Sequence, residues 1–117
     1  MSYDITLVED KYSSNYTSNV YEMLQKAFEK LQEEDKAPSY YDHWSEPLTD
    51  SYDTNKARDY LRDLIKELKA YPEKYEPLQP DIDPETGERW GSYKTCIIWL
   101  QEILLNWKDG YRVEIDK

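Results

Sequence analysis

The sequence predicts a single α+β domain, and three observations carry that reading. Apolar and polar residues alternate at both ends, over Tyr3 to Leu7 and Tyr111 to Ile115, the period of half-buried strands. Three segments between them place apolar residues at helical spacing. A length of 117 residues falls within the range of one domain with one core. A lone two-stranded ribbon is marginal in water. The terminal strands are therefore expected to share a small antiparallel sheet of two to three strands, the third near Tyr12 to Thr17, covered on one face by three helices.

Taken in order, Tyr3, Ile5 and Leu7 alternate with Asp4, Thr6 and Val8 in the first strand. Tyr12 to Thr17 is polar and suits extended chain. Asn19 reads as the N-cap of the first helix, with Glu22 at capping-box spacing. Val20, Leu24, Ala27 and Leu31 follow at helical period, and Phe28 widens the stripe. Glu33-Glu34-Asp35 ends that helix, where acids oppose the dipole and favour fraying. Ala37 to Asp53 reads as a loop broken by Pro38 and Pro47. Its Tyr40, Tyr41, Trp44 and Tyr52 are too many aromatics for a disordered linker.

Thr54 reads as the cap of a second helix with Ala57, Leu61, Leu64, Ile65, Leu68 and Tyr71 on one face. Arg58, Asp59, Arg62, Asp63, Lys66 and Glu67 form a solvated face, and Pro72 stops the helix. Glu73 to Gly91 is a long connection with turn chemistry at Asp83-Pro84-Glu85-Thr86-Gly87. Ser92 caps the most apolar helix, in which Cys96, Ile97, Leu100, Ile103, Leu104 and Trp107 form a broad face widened by Ile98, Trp99 and Leu105. Asp109-Gly110 closes it with glycine at C′. Trp99 or Trp107 is expected in the core, and Tyr40, Tyr41 or Trp44 partly exposed.

Only 38% of residues are hydrophobic, but four Trp and twelve Tyr supply large apolar area with polar handles. The formal charge of −10 argues against binding of nucleic acid through phosphates, a mode that needs clustered bases, and no direct contact of that kind is expected. Residues 1 to 54 hold 12 acids and 4 bases; residues 55 to 117 hold 13 and 11. Met1 to Glu9 has no basic leader, no apolar run is long enough to span a bilayer, and the lone Cys96 suits a reducing compartment. No membrane association and a cytoplasmic location are expected.

No catalytic residue, metal site or cofactor is predicted. His43 with Ser39 or Ser45 and Asp42 are sequence neighbours without a nucleophile elbow. Cys96 lies in an apolar helix, where a thiol is a small hydrophobe. One Cys and one His cannot complete a zinc site. Asp81-x-Asp83-x-Glu85-x-Gly87 departs from a calcium loop at positions six and twelve, Thr86 and Ser92.

Four patches of the chain resemble a family of small proteins of phages, prophages and their bacterial hosts. They are the opening Met1-Ser2-Tyr3-Asp4-Ile5, the stretch Asn15-x-Thr17-x-Asn19-Val20-x-x-Met23-Leu24, the block Pro72-Glu73-Lys74-Tyr75-x-x-Leu78 with Trp90-Gly91-x-Tyr93, and the Tyr111 to Ile115 strand. Gln79-Pro80 departs from that family's Asn-Pro, and Asp81 to Arg89 looks inserted. The resemblance implies a phage-associated origin and attaches no activity.

Two surfaces are candidates. Tyr40, Tyr41, Asp42, Trp44, Glu46, Asp50 and Asp53 join acids to aromatics and suit a host protein with a basic surface. Asn15, Thr17, Asn19, Lys74, Trp90 and Tyr93 are either a polar pocket or a cap, a local bond and a Trp plugging the core. The leading expectation is a phage-associated protein that inhibits a host defence protein by binding it. The alternatives are a binder that sequesters a nucleotide or other small molecule, and an immunity-type partner of a basic toxin.

Overall fold

The computed structural model describes residues 2 to 50 and 52 to 117; Met1 of the opening motif lies outside them. The chain runs β1 (Ser2–Leu7), β2 (Tyr12–Thr17), α1 (Tyr21–Glu33), α2 (Thr54–Ala70), the one-turn α3 (Pro72–Tyr75), α4 (Tyr93–Asn106) and β3 (Val113–Asp116). The three strands form one antiparallel sheet in the order β2-β1-β3, so both terminal strands meet as the sequence predicts.

Register follows from alternation. Tyr3, Ile5 and Leu7 pair with Tyr16, Ser14 and Tyr12 on one side, and Ile5 and Leu7 with Ile115 and Val113 on the other. That face turns to the core; Tyr3, Ile5, Leu7 and Val113 are all buried. A one-residue slip would bring Asp4 and Thr6 inward, so the pattern fixes the pairing. Beyond the strands, the Glu9 carboxylate accepts from the Arg112 main-chain N–H and Nε, both at 2.7 Å. These bonds hold the Glu9 carboxyl below its usual range and clip the β1–β2 turn to β3.

The helices pack on the inner face. α1 buries Met23, Leu24, Ala27, Phe28 and Leu31; α2 buries Ala57, Tyr60, Leu61, Leu64, Ile65 and Leu68. α4 buries Cys96, Ile97, Trp99, Leu100 and Ile103, and Trp107 follows in the core. Ile98 and Leu105 do not widen this face as expected; both point to solvent, Leu105 at 84% exposure. Neither could turn inward without rotating the helix off its apolar stripe.

Several helix ends differ from expectation. Thr17, not Asn19, caps the first turn, its Oγ1 accepting from Asn19 N–H at 3.3 Å; residues 18 to 20 form a 3-10 turn before α1. Asp53, not Thr54, caps α2 by accepting from Lys56 N–H at 3.0 Å. A carboxylate outcompetes a threonine hydroxyl at this position because it also complements the helix dipole. Ser92 caps α4 as predicted, accepting from Thr95 N–H at 3.2 Å. α4 stops at Asn106, and Gly110 serves the following turn at φ +84° instead of the C′ position. The extended backbone of Trp107 ends the helix early, aiming its indole N–H at the Tyr111 carbonyl (2.8 Å).

The C-terminus of α1 is closed by a Schellman motif. Lys36 N–H donates to the Leu31 carbonyl (2.8 Å) and Asp35 N–H to that of Gln32 (3.2 Å), with Asp35 in the left-handed region at φ +58°. A side chain is disfavoured there, and an acid also opposes the dipole. Asp35→Gly should therefore raise stability by about 0.5–1 kcal/mol, read as a higher urea midpoint at unchanged m-value.

Of the loop aromatics expected to be partly exposed, Tyr40 is exposed and Tyr41 half-buried, whereas Trp44 is not exposed. It is fully buried, packing on Tyr3 at 5.1 Å and Trp99 at 6.3 Å between ring centroids. Trp44→Ala should cost about 3–5 kcal/mol, as much as a substitution at Trp107. Tyr52→Ala, at a fully exposed ring, should leave the urea midpoint unchanged.

Candidate functional site

The 37–53 loop is built on bonds from two helices. Gln25 of α1 donates to the Asp42 carbonyl (2.7 Å) and accepts from Trp44 N–H (3.0 Å). Gln32 donates to the carbonyls of Pro38 and Tyr41 at 2.9 and 2.8 Å. Tyr60 of α2 donates its hydroxyl to the Trp44 carbonyl. These contacts fix a loop that has little regular structure of its own beyond a 3-10 turn at residues 46 to 49.

Its acids divide by role. Glu46 Oε1 accepts from the N–H groups of Asp42 (3.2 Å) and His43 (2.8 Å). Asp50 Oδ1 accepts from Tyr52 and Asp53 N–H at 3.0 and 3.2 Å, and Asp53 caps α2. Asp42 alone has a carboxylate without a hydrogen-bond partner among the described residues. The loop also exposes Tyr40 (74%) and Tyr52 fully, with Tyr41 half-buried beneath Tyr40. Lys36 and Lys56 line the hollow below Tyr40, so the surface is acidic and aromatic with a basic edge.

His43 sits at the base of the loop among Tyr3, Tyr21 and Trp44. Its Nδ1 accepts from Ser45 N–H (3.2 Å) and lies 2.7 Å from Ser45 Oγ, which places the ring proton on Nε2. Ser45 is buried, so this hydroxyl closes a local turn and presents no face to a substrate. Burial lowers the His43 pKa, Lys117 adds to the effect and Glu46 opposes it. Burial also pushes the Cys96 thiol far up, leaving it protonated within the core.

Of the other candidate residues, Thr17, Asn19 and Trp90 come together, while Asn15 and Lys74 make their contacts elsewhere. Thr17 caps, and Asn19 donates through Nδ2 to the Trp90 carbonyl at 3.4 Å. The Tyr16 hydroxyl accepts from Ser92 N–H (3.0 Å), and Gln79 accepts from Tyr93 N–H (2.9 Å). A Cβ at Gly91 would lie 2.6 Å from the Thr17 methyl and 3.0 Å from Val20, and its φ is +102°. The Asn-x-Thr-x-Asn and Trp-Gly-x-Tyr patches thus form a joint tying the long connection to the start of α1. Trp90 corrects the expectation of a core plug: the residue is 55% exposed, whereas Tyr75 and Tyr93 of the same motif block are buried. Asn15 lies on the exposed sheet face opposite Asp4. Lys74 stands over the Tyr75 ring and 4.0 Å from buried Glu67, which accepts from the Tyr75 hydroxyl.

Sequence reasoning missed one feature. A groove of about 1090 Å³ lies between α2 and α4. Ile65, Leu104, Leu105 and Trp107 contribute its apolar surface. Arg58, Arg62, Lys66 and Lys69 line the α2 side, and Lys108 and Asp109 close one end. The spacing 58, 62, 66, 69 is legible as one helical stripe. Asp59 and Asp63 between these bases made the whole face look mixed. Only the packing of α4 beside α2 shows that the bases, and not the acids, border the groove.

No protein-family model, curated protein or solved structure matches the chain.

The depressed His43 pKa sets a pH dependence. Below about pH 6.5 the unfolded chain takes up the histidine proton while the folded ring resists it, so stability falls as pH drops through that value and levels off below the folded pKa. Urea titrations at pH 7.5 and 5.0 should show a smaller loss for His43→Gln than for the parent. Equal losses would assign the whole effect to carboxylates.

Proposed function

We propose that the protein acts by binding another protein, one with a basic surface, and that it is a phage-associated inhibitor of a host defence protein. The observation that carries this reading is the acidic loop between α1 and α2, with exposed tyrosines and with residues 38 to 44 bonded from beneath by Gln25, Gln32 and Tyr60. Preorganisation matters because ordering side chains and loops on binding costs affinity. Tyrosine supplies contact area at low rotamer cost, and the surrounding carboxylates steer a basic partner. The phage association rests on the four sequence patches, and the inhibitory role on the acidic charge such a protein would turn towards a basic groove.

The anchoring role passes from Trp44 to Tyr40 and Tyr52, since Trp44 is consumed in the core. Asp42 is the acid to test, because Glu46, Asp50 and Asp53 hold the backbone and their substitution would alter the loop itself. Affinity capture from host lysate should return a basic protein, and surface plasmon resonance on that protein should separate two effects. Asp42→Lys should lower the association rate, most at low salt, because screening shortens from about 10 Å at 0.1 M to about 3 Å at 1 M. Tyr40→Ala with Tyr52→Ala should raise the dissociation rate about tenfold or more. An association rate independent of salt would remove the acidic loop as the docking surface.

A further inference from the structure

We propose that the groove between α2 and α4 is a second docking site, and that its occupant is an acidic amphipathic helix of a partner protein. In a chain of net charge −10, five cations border one groove: Arg58, Arg62, Lys66, Lys69 and Lys108. Asp109 is the one acid lining it, and it is drawn to Arg58 at 3.7 Å. Arg62 pairs with Asp59 at 2.8 Å, whereas Lys66, Lys69 and Lys108 have no salt-bridge partner among the described residues. Between them lies apolar surface, including Leu105 at 84% exposure, which the fold of this chain leaves uncovered.

The geometry points to a helix. From Arg58 to Lys69 the basic row follows α2 for about 16 Å, three helical turns at 1.5 Å per residue. An amphipathic helix of similar length laid in the groove meets the floor with apolar residues at i, i+3, i+4 and i+7, while flanking carboxylates meet the row at matching intervals. A fatty acid would offer one carboxylate to five cations. An anionic membrane would attract this face but repel the acidic remainder of the molecule. Among the described residues a second copy of the chain has no free helix of this kind to give: the apolar faces of α1, α2 and α4 are buried in their own core.

The test is selection from a displayed library of 14-residue amphipathic helices, apolar positions fixed and flanking positions randomised over Glu, Gln and Lys. Enrichment of Glu flanks is expected. The selected peptide should bind the full chain at least tenfold more weakly after Lys66→Glu with Lys69→Glu, and after Leu105→Asp, an exposed position whose change should leave the circular dichroism spectrum intact. Binding should be unchanged by Tyr40→Ala, which separates this site from the acidic loop. Enrichment of Lys flanks, no enrichment, or winners indifferent to the groove variants would overturn the proposal. So would sedimentation with phosphatidylglycerol vesicles that the groove variants abolish while peptide binding is absent.

Discussion

The burial of Trp44 is a contact on which the sheet and the long helices converge. Its ring lies against Tyr3 of β1 and Trp99 of α4, its N–H is held by Gln25 of α1, and its carbonyl by Tyr60 of α2. One residue from an irregular loop thus touches the sheet and the three long helices. The consequence is energetic as well as topological. A polar backbone taken into a core must find partners there, and both backbone groups of Trp44 do. Removing the ring would leave a cavity where the four elements meet and would loosen the loop that carries the exposed tyrosines.

That arrangement explains how a chain with so few aliphatic residues closes a core. Tyr3, Tyr60, Tyr75 and Tyr93 are buried, and the hydroxyls of the last three end on Trp44, Glu67 and Leu68. Each ring contributes apolar area while its hydroxyl ties one segment to another. The same residue type does opposite work on the surface, where Tyr40 and Tyr52 face water. Three of the four buried hydroxyls reach a carbonyl or a carboxylate, and the buried Tyr3 ring packs instead against His43, Trp44 and Trp99.

The fold was largely legible because the strands and long helices follow periodic rules. Alternation at Tyr3 to Leu7 and Tyr111 to Ile115 placed both strands in one sheet, and helical spacing located α1, α2 and α4. The errors fall where periodicity says nothing. Asp53 and Thr54 are both good caps by residue type, and the carboxylate's added complementarity to the helix dipole decides between them. Trp44 sits among acids and prolines, so its local sequence argues for exposure, while burial depends on Tyr3 and Trp99, 41 and 55 positions away. The candidate sites were less legible still. Four acids read as one surface, yet three of them are engaged in local backbone bonds, and the basic groove appears only once α4 lies beside α2.

The long connection shows how a segment can close on itself without disturbing its ends. Asp81 to Arg89 folds on itself as a small hairpin: Ile82 bridges Arg89, Asp83 exchanges main-chain bonds with Gly87 and Glu88, and Gly87 takes φ +72°. Asp83 also accepts from Glu85 N–H, and Arg89 returns to the Pro80 carbonyl. The hairpin therefore satisfies its own backbone and requires little from the body. The joint after it is the reverse case. Gly91 is held against Thr17 and Val20 so closely that no side chain fits, and Trp90 offers its carbonyl to Asn19 while its ring stays in water. Backbone position, not the indole, is what the Trp-Gly pair supplies here. A segment that closes on itself can vary in length, whereas the glycine that ends it cannot vary in size.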